Sequence, residues 1–294
     1  MTLRQHTPGE PPTPANAPGE PPPQALPAPA NAPDAHPAPA NAPGEQPPLG
    51  QGPTVPWSWT RLSPRDAELR ELMDDPACDP ERLRRTLSRF AVVNRLVSGW
   101  GHAYRRHVRP ALPPTPGPSP VRILDIGCGG GDVLRRVVHL ARTDGHAVEA
   151  LGIDPDERAL RVALSAPSTP GMSFRRARSG DLAAEGERFD VVISNHVLHH
   201  LDDGERAAVF ADSERLARRV VVHSDIARSR VAYAAYAVGI TPFAPGSFLR
   251  TDGLRSIRRS YTREELADVV PAGWSVERGV FRVLAVHRPR RGSA

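Results

Sequence analysis

The sequence predicts an α/β fold: a largely parallel seven-stranded sheet that ends in an antiparallel strand. Three observations carry this. From residue 121 onward, short apolar runs alternate with amphipathic stretches. A glycine-rich turn joins the first run to the first of these stretches. The last two runs are separated by only Arg278 and Gly279, which suits a hairpin and is far too short for a parallel crossover.

The elements follow in order. Ser63-Pro64 places proline at a first helical position and predicts a helix to about Met73. Asp79-Pro80 opens a second helix, with Leu83, Leu87, Phe90, Val93, Val97, Trp100 and Tyr104 on one stripe. Prolines from Pro110 to Pro120 end this helical region. Strands are predicted at Val121–Asp125, Ala150–Asp154, Met172–Arg176, Phe189–Ser194, Arg219–His223, Trp274–Glu277 and Val280–His287. Helices are predicted at Val133–Ala141, Asp156–Ser165 and Asp203–Ala217, and from the capping box Thr262-Arg-Glu-Glu265 to Val269.

Composition divides the chain. Residues 1–56 hold 18 of the 34 prolines and repeat Pro-Ala-Asn-Ala-Pro at Pro14, Pro29 and Pro39. So little apolar surface cannot offset the entropy of ordering, and a disordered, partly polyproline-II tail is expected. Such a tail also offers a surface to a protein partner. Residues 57–110 then form an N-terminal helical extension, expected as a lid if the core binds a ligand, and 121–294 the α/β domain, with a lid-like insertion at 229–250. That insertion carries Tyr233, Tyr236, Phe243 and Phe248, which suit a roof over an apolar ligand. The net charge is +5, and every one of the 38 basic residues is Arg. Such a charge permits nucleic-acid binding without establishing it. Two cysteines at unrelated sites, no signal pattern and no apolar run long enough to span a bilayer point to a cytoplasmic protein.

The chemistry begins at Asp125-Ile-Gly-Cys-Gly-Gly-Gly131. A dinucleotide fingerprint needs glycine where Asp132 stands, and no Gly-Lys-Ser/Thr marks a phosphate loop. What fits is acid-x-Gly-x-Gly-x-Gly, followed by Asp154 at a strand end, Asp181 in Ser179-Gly-Asp-Leu182, and the block Phe189-Asp-Val-Val-Ile-Ser-Asn195. Together these motifs, over about 121–225, resemble the class I S-adenosylmethionine-dependent methyltransferases, whose sheet is Rossmann-like. The resemblance implies S-adenosyl-L-methionine as cofactor. Asp125 would lie near its methionine end, Asp154 and Pro155 at the ribose, and Asp181 and Leu182 at the adenine. Gly127, Cys128, Gly129, Gly131, Asn195 and His196 would complete the binding set.

Asn94, Ser98 and His102 resemble the segment before the core in quinone-biosynthesis methyltransferases, where similar residues close over the cofactor. Here Gly99 comes one place early and Arg105 replaces a tryptophan. That resemblance makes Asn94 and Ser98 lid candidates. His199-His200-Leu201 resembles a sequence that faces the substrate in small-molecule methyltransferases. In some natural-product O-methyltransferases one such histidine is a general base, aided by an aspartate after the fifth strand, here Asp225. Three histidines also suggest metal, but no acid or cysteine stands at ligand spacing beside them, and none is expected. The function expected is methyl transfer to a small, apolar acceptor, with oxygen the preferred atom. RNA or DNA modification is a second reading, weakened because Asn195-His-Val-Leu replaces the Pro-Pro-aromatic signature of amino-methylating enzymes. A non-catalytic cofactor-binding partner is a third.

Overall fold

The structure is a computed structural model that describes residues 62, 64–115, 117 and 119–290, without the side chains of 91–97. The proline-rich tail and the Asn94 side chain lie outside the described residues.

Seven strands form one sheet in the order β3-β2-β1-β4-β5-β7-β6. They are β1 (Val121–Ile126), β2 (Val148–Asp154), β3 (Met172–Arg176), β4 (Phe189–Asn195), β5 (Ala217–Ile226), β6 (Trp274–Gly279) and β7 (Arg282–His287). The first five are parallel, with Ile123 beside Ala150 on one side and Val191 on the other. Order reverses at β1, so a crevice opens between the carboxyl ends of β1 and β4, where ligands of such sheets bind. β7 runs antiparallel to both β5 and β6. It inserts between them, which leaves β6 at the edge.

Strand pleating sorts the apolar residues onto two faces. Ile123, Val191, Ile193, Val220 and Val222 pack with Trp100, Tyr104 and Val137 on one face. Leu124, Ile126, Val192 and Val221 pack with Leu182, Phe189 and Leu216 on the other. Central strands are therefore apolar at nearly every position, as burial on both faces requires.

The helices are α1 (Pro80–Val97), α2 (Trp100–Ala103), α3 (Asp132–Thr143), α4 (Glu157–Ser165), α5 (Ser179–Ala184), α6 (Asp203–Leu216), α7 (Arg230–Gly239), α8 (Leu249–Arg259) and α9 (Arg263–Val269). The helix expected to Met73 is absent. Residues 64–71 are turns and extended chain, followed by a single 3-10 turn, Leu72–Asp74. Backbone N–H groups that a helix would use internally are spent on another element: Leu72 and Met73 donate to the Asp252 carboxylate of α8. The long helix expected through Tyr104 breaks at Gly99, whose φ of +68° starts α2 in a new direction. The final hairpin turns at Val280 and Phe281, two residues later than expected. Helices α5 and α8 were not anticipated. Among the described residues no helix is long and apolar enough to cross a membrane.

Candidate active site

The glycine loop leaves β1 and turns into α3. Gly127 has φ +67°, and a Cβ there would lie 2.6 Å from Val197 Cγ2, so both conformation and space exclude a side chain. The loop is fastened to the neighbouring strand end. Cys128 N–H donates to the Ile153 carbonyl at 3.0 Å, and Gly129 N–H donates to Asp154 Oδ2 at 2.9 Å. The Cys128 thiol is buried, and burial together with Asp125 and Asp154 pushes its pKa far up. Gly131 caps α3.

Asp154 accepts a second bond on Oδ1 from Asp156 N–H at 2.9 Å. It remains 9% exposed at the mouth of the crevice, and burial raises its pKa. Asp125 lies deeper. Its carboxylate is 1% exposed, and neither oxygen has a hydrogen-bond partner among the described residues. Burial, then Asp132 and Asp154, hold its pKa well above the usual carboxylate range. A buried acceptor with no donor costs about 1–3 kcal/mol, which a ligand with N–H groups at this point would recover. The loop and Asp125 therefore fit the polar and cationic end of S-adenosylmethionine, and the lone pairs left on Asp154 fit its ribose diol.

The remaining cofactor candidates divide. Asp181 is exposed and accepts from Arg178 N–H at 2.7 Å, opening α5. Leu182, one residue on, is wholly in the core, so its side chain does not reach the crevice. Pro155 is exposed beside Asp154. Ser98 is 9% exposed, and its Oγ accepts from Trp100 N–H at 3.5 Å. Ser98, Gly99 and Trp100 line a cleft of about 790 Å³ that also touches Gly130 and Asp132.

Asn195 ends β4. Its Oδ1 accepts from Trp100 Nε1–H at 3.0 Å and from Arg282 Nη1 at 3.1 Å. The residue thus ties α2 and β7 to the crevice. Trp100 and Arg282 were not anticipated as site residues; periodicity marked Trp100 only as apolar. His196 follows in the left-handed region with φ +60°. Its N–H donates to the Ser224 carbonyl, and its Nε2 is buried without a partner among the described residues. Burial, then Arg282, hold its pKa well below normal.

The histidine pair occupies a 3-10 turn, Leu198–His200, directly after β4. His199 is fully buried. Nδ1 lies 2.7 Å from Asp225 Oδ1, and the His199 N–H donates to Asp225 Oδ2 at 3.0 Å. Nε2 lies 3.3 Å from Glu71 Oε1. Burial alone would lower the imidazole pKa. The Asp225 and Glu71 carboxylates outweigh it and raise the pKa to about 9. His199 therefore has no ring nitrogen open to an acceptor. His200 is 30% exposed; its Nε2 lies 3.7 Å from Glu71 Oε1 and its Nδ1 3.5 Å from Asp74 Oδ2. Of the pair, it is the residue that incoming molecules can touch. Sequence reading missed Glu71, which was assigned to a helix, and Asp74, which follows that helix's expected end.

The aromatic residues of the expected roof divide. Phe248 is buried and its N–H donates to Thr86 Oγ1, while Tyr236 donates to the Leu249 carbonyl. Phe243 is exposed.

Comparison with known proteins follows from this geometry. Residues 123–220 match the family described as "Methyltransferase domain". The chain is 34% identical over 87 residues to a ubiquinone biosynthesis O-methyltransferase of Rhizobium leguminosarum bv. trifolii, covering 29% of this chain and 32% of that protein. It is 36% identical over 85 residues to the protein of the same name from Cereibacter sphaeroides, covering 28% and 32%. The chain spans about a third of the length of the curated relatives it matches. Among solved structures, a plantazolicin methyltransferase in complex with SAH aligns with a TM-score of 0.48 and 13% identity, over 76% of this chain and 96% of that one.

Proposed function

Because the chain carries a class I S-adenosylmethionine-dependent methyltransferase domain, we propose that it moves a methyl group onto a hydroxyl oxygen of a small, apolar acceptor: a phenol, quinone precursor or polyketide. The observation that carries this reading is the buried, unpartnered Asp125 carboxylate beneath a glycine loop at the point where strand order reverses. The names of the curated relatives, O-methyltransferases of ubiquinone biosynthesis, support oxygen as the atom and a quinone precursor among the acceptors.

When bound, S-adenosylmethionine supplies a methyl group on a positively charged sulfur, already activated for displacement. An O–C bond forms as the S–C bond breaks, and the hydroxyl proton must leave. The chain's own contribution is alignment, which can supply about 7–11 kcal/mol of barrier reduction. Asp154 holds the loop through Gly129 and offers its remaining lone pairs to a ribose diol. Ser98 and Trp100 stand at the lid, with Asn195 fixing Trp100 to the strand end. The acceptor hydroxyl loses its proton at the cluster after β4. There Asp225 orients His199, and His200 is the accessible member. The 57–110 region and the 229–250 insertion cover the acceptor in this reading.

The test is a labelled-methyl assay with the full chain and a cell extract, followed by mass spectrometry of the product. Label on the oxygen of a small aromatic or polyketide molecule is expected. Label confined to RNA or DNA, or no transfer to any fraction, sinks the proposal.

A further inference from the structure

Glu71, His199 and His200 bring three ligand atoms together, all within 4.8 Å of one another. Hydrogen bonding explains part of this cluster and leaves part unexplained. The contact of His199 Nδ1 with Asp225, at 2.7 Å, has the length of a charge-assisted hydrogen bond. The contacts around Glu71 Oε1 do not. His199 Nε2 lies 3.3 Å away and His200 Nε2 lies 3.7 Å away. The buried Glu71–His199 contact is longer than the Asp225 one and so returns less of the desolvation cost, and His200 is 30% exposed.

These lengths have another meaning. Donors held about 2.0–2.2 Å from one ion at tetrahedral angles stand roughly 3.4 Å from each other. An octahedral ion with similar bonds would draw neighbouring donors to about 3.0 Å. The two Glu71 separations fall on the tetrahedral side. The surroundings agree. Metal-ligating histidines turn their second ring nitrogen to a carboxylate, and ligating carboxylates are themselves hydrogen-bonded. Here His199 Nδ1 faces Asp225, His200 Nδ1 faces Asp74 at 3.5 Å, and Ser256 Oγ donates to Glu71 Oε1 at 2.6 Å. Both Nε2 atoms are left directed at the same carboxylate oxygen.

We infer that Glu71 Oε1, His199 Nε2 and His200 Nε2 form a binding site for one zinc ion, with a fourth position left to a small ligand. Three protein donors with an open position are the ligand set of catalytic rather than structural zinc. The site opens on the side of His200, since Glu71 and His199 are buried. The ion pins the 64–74 segment, which brings Glu71, to the end of the sheet. It also deepens the function proposed above: an acceptor hydroxyl in the fourth position would be acidified by the metal and lose its proton to water at the open side of the site, with His200 serving as ligand in place of base. That consequence rests on the methyl-transfer reading, whereas zinc binding does not.

The experiment uses the full chain without a histidine tag, stripped with chelator, reloaded with zinc and desalted. Metal is then counted by mass spectrometry. About one zinc per chain is expected. Glu71→Gln and His200→Asn should each abolish stoichiometric binding, with folding checked by circular dichroism. Asp225→Asn, which touches no metal, should retain the site with affinity lowered about 10–100-fold. Zinc-dependent protection of 64–74 in hydrogen exchange should accompany loading. A chain that binds no zinc overturns the inference, as does zinc retained in full by both ligand variants. Stoichiometric manganese or iron in preference to zinc overturns the tetrahedral assignment. Methyl transfer by a zinc-free chain would refute the metal's role while leaving the proposed function standing.

Discussion

Gly127→Ala offers a perturbation whose cost can be worked out beforehand. Two penalties apply. Placing an L-residue at φ +67° costs about 1–2 kcal/mol. The new Cβ, 2.6 Å from Val197 Cγ2, adds an overpacking cost of about 1–3 kcal/mol. The sum, about 2–5 kcal/mol, is a large share of the 5–15 kcal/mol typical of folded domains. In melting temperature it corresponds to a fall of roughly 4–20 °C. Val197→Ala removes the clashing methyl but not the backbone strain. The double variant should therefore be less destabilised than the two single costs predict, by about 1–3 kcal/mol. Urea unfolding of the wild type, both single variants and the double variant closes the cycle. Calorimetry with S-adenosylhomocysteine follows the loop's binding function in the same four proteins. Strict additivity would show that Val197 does not limit the loop, and the close-approach argument would fall. A loss below about 0.5 kcal/mol for Gly127→Ala, no more than an ordinary surface change, would refute the left-handed conformation as well.

Two further predictions follow from the same geometry. Asp154→Ala leaves Gly129 and Asp156 N–H without their acceptor and removes the expected ribose contact. Cofactor affinity should drop roughly 10–100-fold while far-UV circular dichroism is unchanged, since hydrogen bonds to a charged group contribute about 1.5–3 kcal/mol. Unaltered affinity by calorimetry would remove Asp154 from the ribose. His223, buried between Ser194 and Ser213, has its pKa lowered by burial from 6.5 to about 3. The unfolded chain therefore binds a proton that the folded chain refuses. Stability is full above pH 6.5 and falls as acid is added, by about 2 kcal/mol between pH 6.5 and 5. His223→Gln should flatten that slope in chemical unfolding at several pH values; an unchanged slope would assign it to other groups.

Legibility in the sequence tracked what burial demands of a segment. Strands buried on both faces must be apolar at nearly every position, so central strands such as β1 and β4 could be read directly, while edge strands β3 and β6 showed only alternation. Helix α8 could not. Its buried face is Leu249, Asp252, Gly253, Ser256 and Ile257, so only two of five positions are apolar. The polar positions are the ones that receive the 64–74 segment, and Gly253 makes room for the Tyr236 ring. The same exchange hid the failure of the first predicted helix. Pro64 and the acids that follow read as a helix start, yet two of its N–H groups are taken by Asp252.

By itself the sequence determined the order of the seven strands along the chain, the acid-glycine loop and the acid at the end of the second strand. Each of these is local, depending on neighbours in the chain and on the period of the pleat. Tertiary structure alone decided which groups meet the histidine pair. His199 and His200 were read with Asp225 as the aid to a base and with no acid at metal-ligand spacing, so Glu71 was not connected to them. The fold brings Glu71 to them across 128 residues and Asp225 across 26. A free imidazole thereby becomes a fully engaged one, because which group meets a side chain is set by where the sheet ends and what crosses it. That register is carried by packing and long-range hydrogen bonds, which leave no mark in the spacing of the residues themselves.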